Sequence, residues 1–226
     1  MSEGVSLLLT ADGSTTLLNG SLNETYHSVH GALRESVHVY LEAGLAWRAA
    51  ADQKNPLLLY EVGFGTGLNA CITRNWAEEN GRQVTYHSIE SRPLPEKVWS
   101  SLAFPGFDRA DLDAVHLAPW DEPVSLSDYF TLIKHHGSFL DARLPSGGLD
   151  VVYFDAFAPG KQPEMWQPYL LARVADAMAF GGTLVTYCAQ GQFKRDLTAA
   201  GLSVESLPGP AGKREMVRAS KPATKG

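Results

Sequence analysis

Short apolar runs alternate with amphipathic stretches along most of this chain, and the alternation sets the expected elements. LLLYEVG (57–63) reads as a buried strand, and ACITRNWAEEN (70–80), stopped by Asn80-Gly81, reads as a helix. VTYHSIE (84–90) predicts a second strand, and PEKVWSSL a short helix that starts at its proline. VHLAPW and YFTLIKHH predict two further strands joined by DEPVSLSD. LDVVYFDAF (149–157) is a strong strand, followed by the helix PYLLARVADAMAF, which Gly181-Gly182 should close. TLVTYCA then predicts a strand, FKRDLTAAG a helix, and LSVESL with EMVRAS a closing antiparallel pair. Strands separated by helices of this length imply βαβ units and a largely parallel sheet, hence an α/β fold.

Ahead of this core, LLLTADGSTTLLN reads as a hairpin turning at Asp12-Gly13. Leu33, Val37, Leu41 and Leu45 recur at helical spacing between Gly31 and about Ala50, with Tyr40 and Trp47 beside them. Residues 1–50 are therefore expected to form an extension, hairpin plus helix, packed on a core domain of residues 51–226.

A glycine-rich loop supplies the first chemical signal. Glu61-Val-Gly63-Phe-Gly65-Thr-Gly67-Leu-Asn69 follows a predicted strand and opens a predicted helix. Glycines at alternate positions let the backbone turn sharply and approach a ligand, and the helix amides beyond can meet a carboxylate or phosphate. The spacing G-x-G-x-G differs from the dinucleotide fingerprint and, with Glu61, matches the acid-led pattern of S-adenosylmethionine enzymes. In that pattern the acid takes the methionine end of the ligand. Glu90 ends the next strand, 23 residues beyond Gly67, where an acid accepts both ribose hydroxyls.

Asp155 ends the strand 149–157, at the sheet edge where α/β folds present catalytic side chains. With Phe157 and Pro159 following, it suits an amine-bearing substrate that carries a ring. Lys161, Glu164 and Trp166 are weaker signals, equally suited to packing or solvating the loop.

Charge and composition narrow the setting. The chain of 226 residues carries net charge −6, but residues 190–226 hold seven Lys/Arg against three acids, so that tail is +4 and the remainder −10. A basic face on an acidic body fits this asymmetry, and so does a solvated surface with no partner. No run approaches the length of a membrane span, and the start lacks a signal-peptide pattern. Cys71 and Cys188 have no metal-ligand spacing, so no metal is expected and a reducing cytoplasm is the simplest location.

The segments GFGTGLN (63–69), FDAFAPGKQPEMW (154–166), GGTLVTYCAQG (181–191) and LPGPAGKREMVRA (207–219) resemble the methyltransferase domain of the MnmC family of tRNA wobble-uridine modification enzymes. ETYHSVHGALRESVHVYLEAGL (24–45) resembles that family's opening. The resemblance implies a class I, Rossmann-like methyltransferase fold and S-adenosyl-L-methionine as cofactor. It further implies methylation of the exocyclic amine of 5-aminomethyl-(2-thio)uridine in tRNA. On this sequence it makes Asp155 the residue facing the amine, with Phe157 beside the substrate. Glu61, Gly63, Gly65, Gly67, Asn69 and Glu90 become the cofactor wall, and Lys161, Lys213 and Arg214 candidate tRNA contacts. Ser138, in HHGSF, stands where the family pattern places an acid on the adenine side. Many members carry a flavin-dependent oxidase after the methyltransferase. Without one here, a separate enzyme is expected to supply the aminomethyl substrate. Two other readings stay open: a methyl- or aminopropyl-transferase acting on a small amine, and a non-catalytic nucleotide-binding module.

Overall fold

The protein is described from a computed structural model covering residues 4–145 and 148–222; Lys225 of the basic tail lies outside the described residues. An eight-stranded sheet in the order β10-β11-β9-β8-β4-β5-β7-β6 organises the chain. Its centre is parallel: β4 (Leu57–Val62) lies between β5 (Val84–Glu90) and β8 (Leu149–Phe154), with β7 (Phe130–His136) and β9 (Met178–Thr186) outside them. Antiparallel strands finish both edges: β6 (Pro123–Ser127) on one, β11 (Glu215–Ser220) and β10 (Ser203–Pro208) on the other. All six residues of β8 are buried, as a strand covered on both faces requires.

One face is covered by α6 (Pro168–Ala177) and α7 (Gly191–Ala199), whose Leu170, Val174 and Leu197 pack with Val152, Phe154 and Leu184. The other face takes α3 (Leu68–Asn80), α5 (Arg109–Leu117) and the long N-terminal helix; the short α4 (Glu96–Trp99) precedes α5. That N-terminal helix begins as α1 (Ala32–Ser36), winds as a π-helix over Val37–Ala46, and ends as α2 (Trp47–Ala51). At Gly44 an added Cβ would lie 2.7 Å from a Val185 methyl, so only glycine lets the helix lie this close to the sheet.

The N-terminal hairpin forms as expected, β1 (Val5–Leu9) with β2 (Thr15–Asn19), and β3 (Glu24–Thr25) completes a three-stranded sheet. Its turn is not a two-residue one. Residues 10–14 form a longer loop, because its side chains are used to cap the helix. Ala32, Leu33 and Arg34 donate their backbone N–H groups to Thr10 Oγ1, Ser14 Oγ and Asp12 Oδ2. Asp12 is held down at about 2: although burial opposes ionisation, the bonds from the Arg34 and Ser14 amides and the Thr10 hydroxyl prevail.

Two predicted elements are corrected. VHLAPW is not a strand: residues through Leu117 belong to α5, started by a capping box between Asp108 and Asp111, and only Trp120 makes a bridge, to Lys134. The extra strand lies instead inside the presumed connection, at β6. Gly181-Gly182 does not close a helix either. α6 ends at Ala177 and both glycines lie inside β9, where its register with β8 shifts and a Cβ on Gly182 would meet Leu149 O at 2.6 Å.

Asp150, fully buried on β8, ties the N-terminal helix to the sheet. Arg48 Nη2 stands 3.0 Å from its Oδ1, Lys54 Nζ 2.7 Å from its Oδ2, and the Leu58 amide donates to Oδ2 at 2.9 Å. Arg48 is itself 4% exposed, so Asp150→Ala leaves a buried cation with only Asp52 beside it. The expected cost is about 3–5 kcal/mol in urea unfolding, with an unchanged denaturant slope. A loss below about 1 kcal/mol, within the range of exposed ion pairs, would show that Asp52 alone compensates the guanidinium.

Candidate active site

A cavity of about 360 Å³ opens at the carboxyl ends of β4, β5, β7 and β8, where strand order reverses around β4. Its floor is the glycine loop. Gly63, Gly65 and Gly67 all adopt left-handed backbone, with φ of 93°, 49° and 73°. A Cβ at Gly63 would lie 2.9 Å from the carbonyl oxygen of Asp155, and one at Gly65 would lie 3.2 Å from the Tyr26 ring. The loop is thus fitted between two walls that leave no room for a side chain.

The loop is also braced from behind. His116 Nε2 bonds Thr66 O at 3.0 Å and its ring stacks on Trp99 at 4.8 Å. Phe64 meets the edges of His116 and Trp120, and the buried Lys134 ammonium lies 4.6 Å from the Trp120 ring centre while bonding His116 O. Burial lowers the Lys134 pKa to about 8 and that of His116 to about 4, so the imidazole is neutral and its Nε2–H donates.

Asp155 stands just past β8 and projects into the cavity. Its Oδ1 accepts from Tyr40 Oη at 2.5 Å and its Oδ2 from Asn69 Nδ2 at 2.9 Å. Burial drives its carboxyl up to about 7, against the pull of those two donors. Glu90 closes the cavity at the end of β5: Oε2 accepts from the Gly65 amide at 3.2 Å and Oε1 from the Arg92 amide at 2.8 Å. Gly137 N bonds Glu90 O at 3.0 Å, which brings Ser138 to the same wall.

Of the residues singled out in the sequence, Gly63, Gly65, Asn69, Glu90, Ser138, Asp155, Phe157 and Lys213 meet in this one cavity. Glu61, Gly67, Lys161 and Arg214 are not on its wall. Glu61 lies beneath the loop, 1% exposed; Ser88 Oγ donates to its Oε2 at 2.7 Å, and Oε1 has no partner. Burial raises its pKa to about 8. Lys161 Nζ is spent on the carbonyls of Leu22 and Asn23, pinning the loop after β8 to the N-terminal sheet. Lys213 turns inward: its Nζ is 2.6 Å from Glu35 Oε1 and 3.8 Å from the Tyr187 ring centre. Arg214 is exposed at the tip of the β10–β11 hairpin.

Sequence reasoning missed the residues that the N-terminal extension contributes. Tyr26 lies edge-on to Phe157 at 5.0 Å, Tyr40 holds Asp155, and buried His27 joins Thr16 to Thr66. Helical spacing places Tyr40 with the core residues, and nothing in a linear pattern shows that its hydroxyl reaches a strand end 115 residues away.

These residues suit S-adenosylmethionine. The glycine cradle admits no side chain, and Glu90 offers a carboxylate at the second strand end, on the same cavity wall as Asn69. Among the described residues no cluster of His, Cys, Asp or Glu is arranged to hold a metal, and no helix is long and apolar enough to cross a membrane.

Known proteins agree with this geometry. Residues 131–222 match a family described as S-adenosyl-L-methionine-dependent methyltransferase. Two bacterial proteins named tRNA 5-methylaminomethyl-2-thiouridine biosynthesis bifunctional protein MnmC are similar. The one from Chromohalobacter salexigens is 33% identical over 213 residues, covering 86% of this chain and 30% of the relative. The one from Leptospira borgpetersenii is 30% identical over 227 residues, covering 93% and 34%. The chain therefore spans about a third of the length of these curated relatives. The crystal structure of MNMC2 from Aquifex aeolicus superposes with a TM-score of 0.82 at 26% identity, covering 97% of this chain and 71% of that one. Streptomyces venezuelae DesVI, with a TM-score of 0.51 at 16% identity, shares the fold alone. The chain belongs to the MnmC family, corresponding to its methyltransferase part, and is an S-adenosylmethionine-dependent methyltransferase of class I fold.

Proposed function

We propose that this domain methylates the exocyclic amine of 5-aminomethyl-(2-thio)uridine at the wobble position of tRNA. The observation that carries the reading is Asp155: a carboxylate fixed at both oxygens, in the same cavity as the glycine loop and Glu90. The names of the relatives, tRNA 5-methylaminomethyl-2-thiouridine biosynthesis proteins, support the substrate.

The cofactor, when bound, supplies a methyl group on a cationic sulfur. Every other requirement falls on the protein. Glu90 would accept the ribose hydroxyls, and the side-chain-free glycine loop would let the cofactor lie close against the backbone. Asn69, on the wall beside the loop, would border the amino-acid end, and Ser138 the adenine side. Phe157 and Tyr26, set edge to face, wall the side where the uracil ring enters.

An alkyl amine has a solution pKa of about 10 and arrives mostly as an ammonium, which has no lone pair to donate. Asp155 binds that ammonium and accepts its proton, and its raised pKa makes it a better acceptor than an ordinary carboxylate. Tyr40 and Asn69 hold the carboxylate still, so that the amine is aimed rather than merely bound.

The direct experiment mixes the protein, S-adenosylmethionine and tRNA bearing an aminomethyl wobble uridine, and reads nucleosides by mass spectrometry. Gain of one methyl at that nucleoside is expected; its absence, with cofactor bound, rejects the substrate. Asp155→Asn should lower kcat by about 10²–10⁴ while cofactor affinity holds; an unchanged kcat removes Asp155 from the chemistry. In the wild type kcat/KM should rise as pH climbs through about 7, since the accepting form is the ionised one, and the variant should lose that inflection. Glu90→Gln should weaken cofactor binding by about 10- to 100-fold in calorimetry, the worth of a hydrogen bond to a charged group. Equal affinity would place the ribose elsewhere.

A further inference from the structure

A second cavity of about 230 Å³ adjoins the first and shares His30 and Glu35 with it. One wall is the start of the N-terminal helix, with His30, Arg34 and His38; the other is the β10–β11 hairpin tip, Gly209–Ala211. Positions 30, 34 and 38 recur every four residues, so Arg34 and His38 stand one above the other on a single helix face. Gly212, in left-handed backbone with φ of 86°, packs against the His30 ring so tightly that a Cβ would collide with it. That contact and the bond from His38 Nε2 to Pro208 O, 2.9 Å, hold the two walls in register.

The charge balance of this groove is the informative feature. Glu35 is the acid at the junction, and it is already compensated: Lys213 Nζ sits 2.6 Å from Oε1 and the Ser28 amide donates to Oε2 at 2.6 Å. Asp12 is enclosed at 8% side-chain exposure and serves the helix start. Glu42 lies one turn further along, beside His38 Nδ1 at 3.6 Å. Arg34 remains 62% exposed, steered by one bond from Nη2 to His30 O and a loose 3.8 Å approach to Asp12. In a chain of net charge −6, the substrate cavity thus continues into a groove bearing an outward guanidinium and two imidazoles.

We infer that this groove seats the backbone phosphates beside the nucleotide whose base enters the catalytic cavity. The inference rests on the tRNA reading above and deepens it. A guanidinium fork matches two phosphate oxygens at once, and the His30 imidazole stands on the same line, while His38 is spent on holding the hairpin. The continuity of the two cavities makes the anion part of the substrate, tethered to the reacting base, rather than a free ion. Groove contacts therefore bind the RNA without touching the reacting amine.

The test uses the full chain with two substrates: an anticodon stem-loop RNA bearing an aminomethyl wobble uridine, and the free 5-aminomethyluridine nucleoside, which has no phosphate. Arg34→Gln should raise KM for the RNA by about tenfold, leave kcat and cofactor affinity unchanged, and leave the nucleoside's kcat/KM unchanged. The slope of log K against log salt for RNA binding should fall by roughly 0.7–0.9, the loss of one phosphate contact. Arg34→Lys should restore the slope. Ala211→Glu, which puts an acid on the opposite wall without disturbing the Arg34 contacts, should weaken RNA binding in the same way. An unchanged salt slope in both Arg34→Gln and Ala211→Glu, with the wild type methylating the RNA, overturns the groove and leaves the substrate intact. Failure of the wild type to methylate either substrate overturns the substrate reading and the groove together.

Discussion

One carboxylate, that of Asp155, is the point at which three separate parts of the chain converge. It comes from the end of β8, Tyr40 reaches it from the π-wound helix, and Asn69 from the first turn of α3. A buried carboxyl without donors would stay neutral and rotate; two donors on opposite oxygens keep it ionisable near neutrality and fixed in direction. The close approach of Gly63 to the carbonyl of Asp155 joins the glycine loop to the same point, so loop and carboxylate share one rigid edge of the cavity.

The second carboxyl, Glu61, gives the site its electrostatic tension. It lies beneath the glycine loop with one oxygen bonded to Ser88 and the other without a partner, and burial with Asp155 nearby favours its protonated form. Such a pair of buried acids is costly to ionise together and becomes favourable when a cation arrives. A sulfonium ligand is that kind of guest. The neutral His116 and the Lys134 cation behind Phe64 hold the loop in shape from the other side, so the loop does not depend on the ligand for its conformation.

The N-terminal segment does more than cover the sheet. Its hairpin loop caps the helix that carries Tyr40, its His27 bridges to Thr66, and Tyr26 walls the glycine loop and meets Phe157. Lys161, expected from the family resemblance to face RNA, fastens this segment to the β8 loop instead, and Lys213 pairs with Glu35 where the two cavities join. Side chains that read as surface charges thereby become joints between the N-terminal segment and the rim of the cavity.

Much was legible in the linear pattern because it depends on local spacing. The all-apolar run of β8, the period of α3 with its Gly81 stop, and the glycine loop between strand and helix each report a nearest-neighbour requirement, and each stands where the pattern put it. VHLAPW was misread because a short apolar run does not distinguish strand from helix; the capping box at Asp108 was the signal that decides it. Gly181-Gly182 looked like a helix stop, but pairing with β8 and β11 recruited those glycines into a bulged strand. Which acids share a cavity, which lysine points inward, and which tyrosine holds Asp155 were settled only by packing. Those pairings join residues more than 80 positions apart, and their energy exists only once the sheet has brought strand ends and the N-terminal helix together.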